Sequence, residues 1–263
     1  MAKKTNLARL RLIGMVHLSP LPGAPKAGPM AATIRRAVDE ARMLARAGFD
    51  AVIVENFGDA PFAADCVPRE TIAAMSIVVD HVVCTCGVPV GVNVLRNDGL
   101  AGLAVAAAAD AAFIRVNVLS GTYATDQGLI TGRAHELARQ RAALAPGVRI
   151  AADVHVKHAV PINQPDIALA AEETAGRGGA DILIVSGAAT GSPTDMDAVR
   201  RVKEAVPRVP VWIGSGVTTE TVGEYLEIAD GVIVGTSLKR GGVTTATLDA
   251  KRVAGFIKAA RRA

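Results

Sequence analysis

Aromatic side chains are almost missing from this chain: five Phe, two Tyr and one Trp make up 3% of 263 residues. A surface that grips single-stranded nucleic acid stacks successive bases on aromatic platforms, and this sequence has too few such residues to build one. Cysteine is equally scarce. Of the three, Cys84 and Cys86 are separated by one residue and Cys66 stands alone, spacings that form neither a zinc knuckle nor a thioredoxin-like pair. No window reaches the ~20 consecutive apolar residues that a membrane-spanning helix needs. The longest candidate, around Gly102–Ala112, is interrupted by Asp110. The opening MAKKTNLARLRLIGMVHL holds only a short apolar stretch, so no secretory leader is expected. A P-loop of the form GxxxxGK[ST] is absent, as is a dinucleotide fingerprint after the first apolar run. Together these absences point to a cytoplasmic protein with no transmembrane segment and no nucleic-acid partner.

Charge narrows the partner further. Twenty-nine Lys and Arg against 25 Asp and Glu give a net charge of +4, but many of the cations stand at the two ends (Lys3, Lys4, Arg9, Arg11; Lys251, Arg252, Lys258, Arg261, Arg262) or on helix faces. That distribution describes solvated surface, and it suits a small anion better than a polyanion.

What the chain has in quantity is aliphatic residue, within an apolar fraction of 50%. Short β-branched runs alternate with longer helical patterns from one end to the other. Eight such runs are present: Arg11–Val16, Ala51–Glu55, Val88–Val94, Ala112–Asn117, Arg149–His155, Ile182–Val185, Val209–Ile213 and Gly231–Val234. Helices are expected near Thr33–Ala47, Arg69–Cys86, Gly99–Ala109, Gly132–Leu144, Gln164–Gly176, Asp195–Val206, Thr219–Ile228 and Asp249–Ala260. Continuous Val/Ile runs are those of strands buried on both faces, as in a parallel sheet wrapped by helices. The pattern predicts an α/β fold, a single-domain TIM (β/α)₈ barrel over residues 1–263, with an open doubly wound sheet as the alternative.

A barrel of this kind gathers its active site at the C-terminal ends of the strands. Polar residues cluster there: His17; Glu55 and Asn56; Asn93 and Arg96; Arg115 and Asn117; Asp153, His155 and Lys157; Ser186; Ser215; Thr236 and Ser237. The last two runs end in IGSGVT and VGTSLK. Glycines at Gly214, Gly216 and Gly235 allow close backbone approach to a ligand, and hydroxyls at Ser215, Thr236 and Ser237, with the Lys239 cation, complete a cradle suited to phosphate. Period-two alternation in ADVHVKHA places Asp153, His155 and Lys157 on one face, aimed into the barrel mouth. Asp153 is the first choice for general base; alternatively it pairs with Lys157 or Arg115 and plugs the barrel. His17 faces it from the first run, a geometry suited to proton transfer across a substrate. Glu55, Asn56, Asn93, Arg96, Arg115, Asn117 and Ser186 are candidates to read hydroxyls and a second charge. The segment GTYATDQGLITG, with Asp126 at its centre, reads as a mobile lid. No cofactor is called for, although Glu55, Asp153 and His155 could hold a divalent metal if one is required.

The motifs IGMVHLSPLPGAP, VENFGDAPF, GVNVLRND, IRVNVLSGTYATDQGLITG, DVHVKHAVP, IVSGAATGSPT, WIGSGVT and DGVIVGTSLKRGG together resemble the BtpA/SgcQ family over about Leu12 to Phe256. The resemblance implies a barrel like the ribulose-phosphate-binding barrels. Names within that family differ, covering photosystem I biogenesis, a sugar-metabolism cluster, nucleoside triphosphatases and phosphoribosylanthranilate isomerases. A true phosphoribosylanthranilate isomerase is similar in its phosphate loops and in an aspartate that Asp153 matches. It carries a cysteine after its first strand, where this chain has His17. The expectation is an isomerase, epimerase or lyase using acid/base chemistry on a phosphorylated sugar or phosphoribosyl-type metabolite, assembled as a homo-oligomer. A Schiff base on Lys157 would make it an aldolase. The alternatives are a non-catalytic assembly factor or a nucleotide or sugar-phosphate hydrolase.

Overall fold

The computed structural model describes residues 7–162, 166–187 and 189–262. In chain order the elements are β1 (Leu12–His17), α1 (Met30–Ala47), β2 (Ala51–Glu55), α2 (Arg69–Cys86), β3 (Val90–Asn93), α3 (Gly99–Ala108), β4 (Phe113–Val116), β5 (Thr122–Thr125) and β6 (Gly128–Thr131). They continue as α4 (Ala134–Leu144), β7 (Arg149–Val154), β8 (Ala159–Pro161), α5 (Ile167–Glu172), β9 (Ile182–Val185), α6 (Met196–Ala205), β10 (Val211–Ile213), α7 (Val222–Ile228), β11 (Gly231–Val234) and α8 (Ala250–Ala260). Helix starts follow from short acidic side chains: Asp98, Asp166, Asp195 and Asp249 each accept hydrogen bonds from the first-turn N–H groups of α3, α5, α6 and α8. The start of the fifth expected helix, Gln164, lies outside the described residues, and α5 runs on into a π turn over Glu173–Arg177.

Eight parallel strands close on themselves in the order β1-β11-β10-β9-β7-β4-β3-β2. Closure with helices between strands makes this the (β/α)₈ barrel, and excludes the open sheet. Alternation divides the strand residues into two populations. One set (Leu12, Val16, Val52, Val54, Val92, Ile114, Ile150 and their like) packs outward against the helices. The other (Ile13, Met15, Ala51, Ile53, Phe113, Ala151, Ile182, Ile184, Trp212, Ile233) fills the interior, with Phe113 edge-on to Trp212 at 5.8 Å. Gly91 matters to that core. A Cβ there would lie 2.3 Å from the Phe113 ring, so only glycine leaves the ring room. One inward step above the apolar layer, register sets His17 beside Glu55, Glu55 beside Asn93 and Asn93 beside Arg115. The same parity continues through Asp153 and on to Gly214 and Gly235 above the last strands. No helix among the described residues is long and apolar enough to cross a membrane.

GTYATDQGLITG, the segment expected to act as a lid, is a β-hairpin: β5 and β6 pair antiparallel and β8 adds a third strand. Its Tyr123 and Ile130 pack with Val118 and Val156 into a small separate core, which holds the hairpin against the rim. One expectation is corrected here: Lys239 points away from the glycine loops. Its ammonium is bonded to Glu40 Oε2 at 2.5 Å, and Lys239 is fully buried. Glu40 also accepts from Arg36 and the Leu248 N–H, so the closing segment is fastened to α1. Removing one partner leaves a buried charge uncompensated. Glu40→Ala is therefore expected to lower stability by about 3–5 kcal/mol, with much of the loss restored in Glu40→Ala/Lys239→Met; urea denaturation of the two variants measures both.

Candidate active site

The floor of the barrel mouth is a closed hydrogen-bonded network. Arg115 grips Asp153 with both arms, Nε to Oδ2 at 2.9 Å and Nη2 to Oδ1 at 2.8 Å. Asn117 donates to Oδ2 at 3.3 Å and Ser186 to Oδ1 at 3.2 Å, so every lone-pair direction of the carboxylate is occupied. Asn93 donates to the Arg115 carbonyl and to Asn117 Oδ1. The Asp153 side chain is 0% exposed. Asp153, expected as general base, is thus already occupied by protein donors, in the ion pair with Arg115 that was its alternative role. Asn56 is likewise a clamp rather than a ligand contact: its amide joins the Leu95 N–H at 2.7 Å and Asp59 at 3.1 Å, tying the ends of β2 and β3 together.

Above the floor lie two connected spaces. A cup of about 120 Å³ is lined by Gly214–Thr218 and Ile233–Ser237, with Thr190 and Gly191 at its edge. The inward positions on this side are glycines, and side chains there would fill the cup. A Cβ on Gly235 would lie 2.7 Å from His17 Cε1, and one on Gly216, at φ +69°, 2.5 Å from Pro193 Cα. The hydroxyls expected to face a ligand instead fasten the loops. Ser215 Oγ accepts from the Gly187 N–H and donates to the Ser192 carbonyl, Ser237 Oγ donates to the Val217 carbonyl, and Thr236 pairs with Thr244. Backbone is also available: Gly216, Thr236 and Ser237 line the cup, and among the described residues no acceptor is found for their N–H groups. Beside it, a larger cavity of about 450 Å³ is lined by Phe57, Phe62, Leu95, Arg96, Asn117, Asp126, Gln127 and His158.

His17, Glu55 and Lys157 line both spaces. His17 Nε2 stands 3.7 Å from Glu55 Oε1, and both side chains are only 7% exposed. Burial pushes the Glu55 carboxyl above its ordinary range, against the pull of Arg115 and Lys157. Burial, then the nearby cations Lys239 and Lys157, hold the His17 imidazole well below its usual value. Lys157 is lowered by burial and by Arg115. Each shift favours the neutral form of its group, raising the carboxyl and lowering the amine. His17 Nδ1 is buried without a protein partner.

His155 does not join them. β7 ends at Val154, and His155 adopts φ +51°, which breaks the alternation that would place it with Asp153 and Lys157. Its ring lies edge-on to Tyr123 at 6.5 Å, beneath the hairpin. Glu55, Asp153 and His155 therefore form no ligand set, and no group of three metal-ligating side chains occurs among the described residues. Asp126 sits at the hairpin tip, exposed and bonded to Gln127 at 2.6 Å, on the outer wall of the larger cavity. Sequence reasoning passed over Phe57 and Phe62. Their signal was available: two of five phenylalanines fall within a few residues of the strand-end Glu55.

The BtpA family model matches residues 9–262. The chain belongs to the BtpA family. It is 47% identical to the photosystem I biogenesis protein BtpA of Synechocystis over 249 residues, covering 94% of this chain and 87% of that protein. An uncharacterized protein of Thermococcus kodakarensis is 49% identical over 235 residues (89% and 88% of the two chains), and the putative sgc region protein SgcQ of Escherichia coli is 35% identical over 251 residues (94% and 92%). Among solved structures, N-(5'-phosphoribosyl)anthranilate isomerase of Pyrococcus furiosus aligns with a TM-score of 0.58 at 13% identity, covering 96% of this chain and all of that one. Tryptophan synthase of M. tuberculosis aligns at 0.61 and 19%, covering 97% and 94%. At such identities the likeness is one of fold.

A raised carboxyl pKa carries a stability cost with a definite sign. The native state holds its Glu55 proton over a window, starting at the ordinary 4.5, in which the unfolded chain has lost it; stability falls as pH rises through that window. Glu55→Gln of this BtpA-family barrel is expected to match the parent near pH 4 and to become the more stable of the two by pH 8. Denaturation midpoints across that range test it, and equal midpoints at both ends would contradict the assigned shift.

Proposed function

We propose that this BtpA-family protein is an enzyme that moves protons on a phosphorylated sugar-like or phosphoribosyl-type metabolite, in an isomerase, epimerase or lyase reaction. The observation that carries this reading is the shared wall: a ligand with its phosphate in the glycine cup must present its next atoms to His17, Glu55 and Lys157. Free N–H groups and close backbone approach suit a phosphate without needing a cation. Glu55 is the group to take and return a proton, since its raised pKa lies nearer neutrality than an ordinary carboxylate's. His17, neutral and in reach of Glu55, relays a proton or donates a hydrogen bond to a substrate oxygen. Lys157 stabilises negative charge developing on that oxygen, as a cation placed in advance in a dry site does. Arg115 and Asp153 keep the floor rigid beneath them. This scheme keeps the acid/base chemistry expected from the sequence and reassigns its base from Asp153 to Glu55.

The reading has two separable tests. Inorganic phosphate is expected to bind with an affinity that Gly235→Ala weakens about tenfold, because the added methyl displaces His17 and narrows the cup; calorimetry gives both constants. With aldose and ketose phosphates in deuterated water, the parent is expected to exchange a carbon-bound proton. Glu55→Gln should slow that exchange about 10²–10⁴-fold while phosphate still binds. Neither phosphate affinity nor proton exchange with any sugar phosphate would be the outcome for a non-catalytic assembly factor.

A further inference from the structure

In a chain with so few aromatic side chains, where they stand is informative. Phe49, Phe113 and Phe256 are buried in the core. The remaining two phenylalanines, Phe57 and Phe62, are both half-buried, and both line the larger cavity. Phe57 lies 5.0 Å from His17 and 6.5 Å from Phe62, centroid to centroid, each pair tilted by about 60°. Three rings thus form a continuous wall beside the proton-handling groups. Its position is fixed by backbone. The Gly58 N–H donates to the Leu18 carbonyl at 3.1 Å, a Cβ on Gly58 would lie 2.5 Å from Pro20 N, and Asp59 accepts from the Leu21 N–H at 2.8 Å. The turn carrying Phe57 is pinned to the loop after β1.

The same cavity contains a buried cation without a counter-ion. Arg96 is 6% exposed, and one arm donates to the Lys157 carbonyl, but no carboxylate among the described residues lies within ion-pair distance of its guanidinium. Burial lowers its pKa, with Asp153 and Asp126 pulling the other way from farther off. Of the carboxylates on the cavity wall, Asp126 is exposed and held by Gln127, and Glu55 stands beside His17; neither is within ion-pair distance of the guanidinium. A guanidinium that lines a cavity with no carboxylate in ion-pair reach suits an anion there, and its planar fork is shaped for a carboxylate.

From these observations we infer that the larger cavity binds a flat, unsaturated or aromatic group bearing a carboxylate, with the ring against Phe57 and Phe62 and the carboxylate on Arg96. Resting on the reading of the glycine cup as a phosphate site, this names the substrate class: a phosphate ester at one end, a ring carboxylate at the other, and the reacting atoms between them at His17, Glu55 and Lys157. A plain sugar phosphate would leave the aromatic wall unused and Arg96 unpaired.

The test titrates the full chain with benzoate, benzamide and inorganic phosphate, each alone, and reads saturation by ligand-observed NMR. Benzoate is expected to bind saturably and benzamide at least about tenfold more weakly, since only the first presents the charge. Arg96→Met should weaken benzoate about tenfold or more, and Phe57→Leu and Phe62→Leu several-fold each, with phosphate affinity unchanged in all three. The benzoate and benzamide comparison uses the unaltered chain, so it stands even if Arg96→Met folds poorly. Equal binding of benzoate and benzamide, no saturable benzoate binding, or full benzoate affinity in a folded Arg96→Met overturns the inference. If phosphate binds in those cases, the cup survives without it. Benzoate binding with no phosphate affinity removes the cup, and with it the two-ended substrate class.

Discussion

The buried pair of Arg115 and Asp153 is the constraint on which the barrel mouth depends. Two charges at the level where eight strands converge would each be costly alone; joined by two short bonds and completed by Asn117 and Ser186, they form a neutral, rigid plate. That plate seals the apolar interior of Phe113 and Trp212 from the cavity above. It also sets the electrostatics there. Asp153 is matched to Arg115, Lys157 and Arg96 feel its charge only from farther off, and Glu55 feels the two cations Arg115 and Lys157. The shifted proton affinities of Glu55, His17 and Lys157 come first from burial at this level, and the charges around them adjust it.

Asymmetry around the rim then divides the mouth into two functions. On the β10 and β11 side the inward positions are Gly214 and Gly235, so backbone lines the space. On the β1 and β2 side they are His17 and Glu55, with Phe57 just beyond. One half suits a group recognised by N–H donors at close range, the other a group recognised by packing and charge. Lys157, from the segment after β7, lines both. Burial at this junction shifts the proton affinities of Glu55, His17 and Lys157, and the rest of the barrel around it is a dense aliphatic core.

Some roles were readable from position alone and some were not. His17 and Glu55 fall at strand ends by simple alternation, and the glycines of the last two loops declare themselves by spacing. Which polar residue bonds to which was hidden, because it depends on side-chain reach across the barrel between residues far apart in sequence. Asp153 looked like a base and Asn56 like a ligand contact; both turned out to be occupied by protein partners. His155 misled for a local reason, a single positive φ at the strand end, and Lys239 because a buried glutamate two hundred residues earlier in the chain outcompeted the rim.

By itself, then, the sequence determined the eight-fold alternation, the inward parity that brings polar residues to one rim, the glycine loops and the family. These are carried by period and local composition, which need no knowledge of the far side of the molecule. Tertiary structure alone decided that Arg115 pairs with Asp153 and that Arg96, among the described residues, has no carboxylate within ion-pair distance. Those outcomes are set by competition among buried charges, and that competition begins only when the barrel closes and brings them within reach of one another.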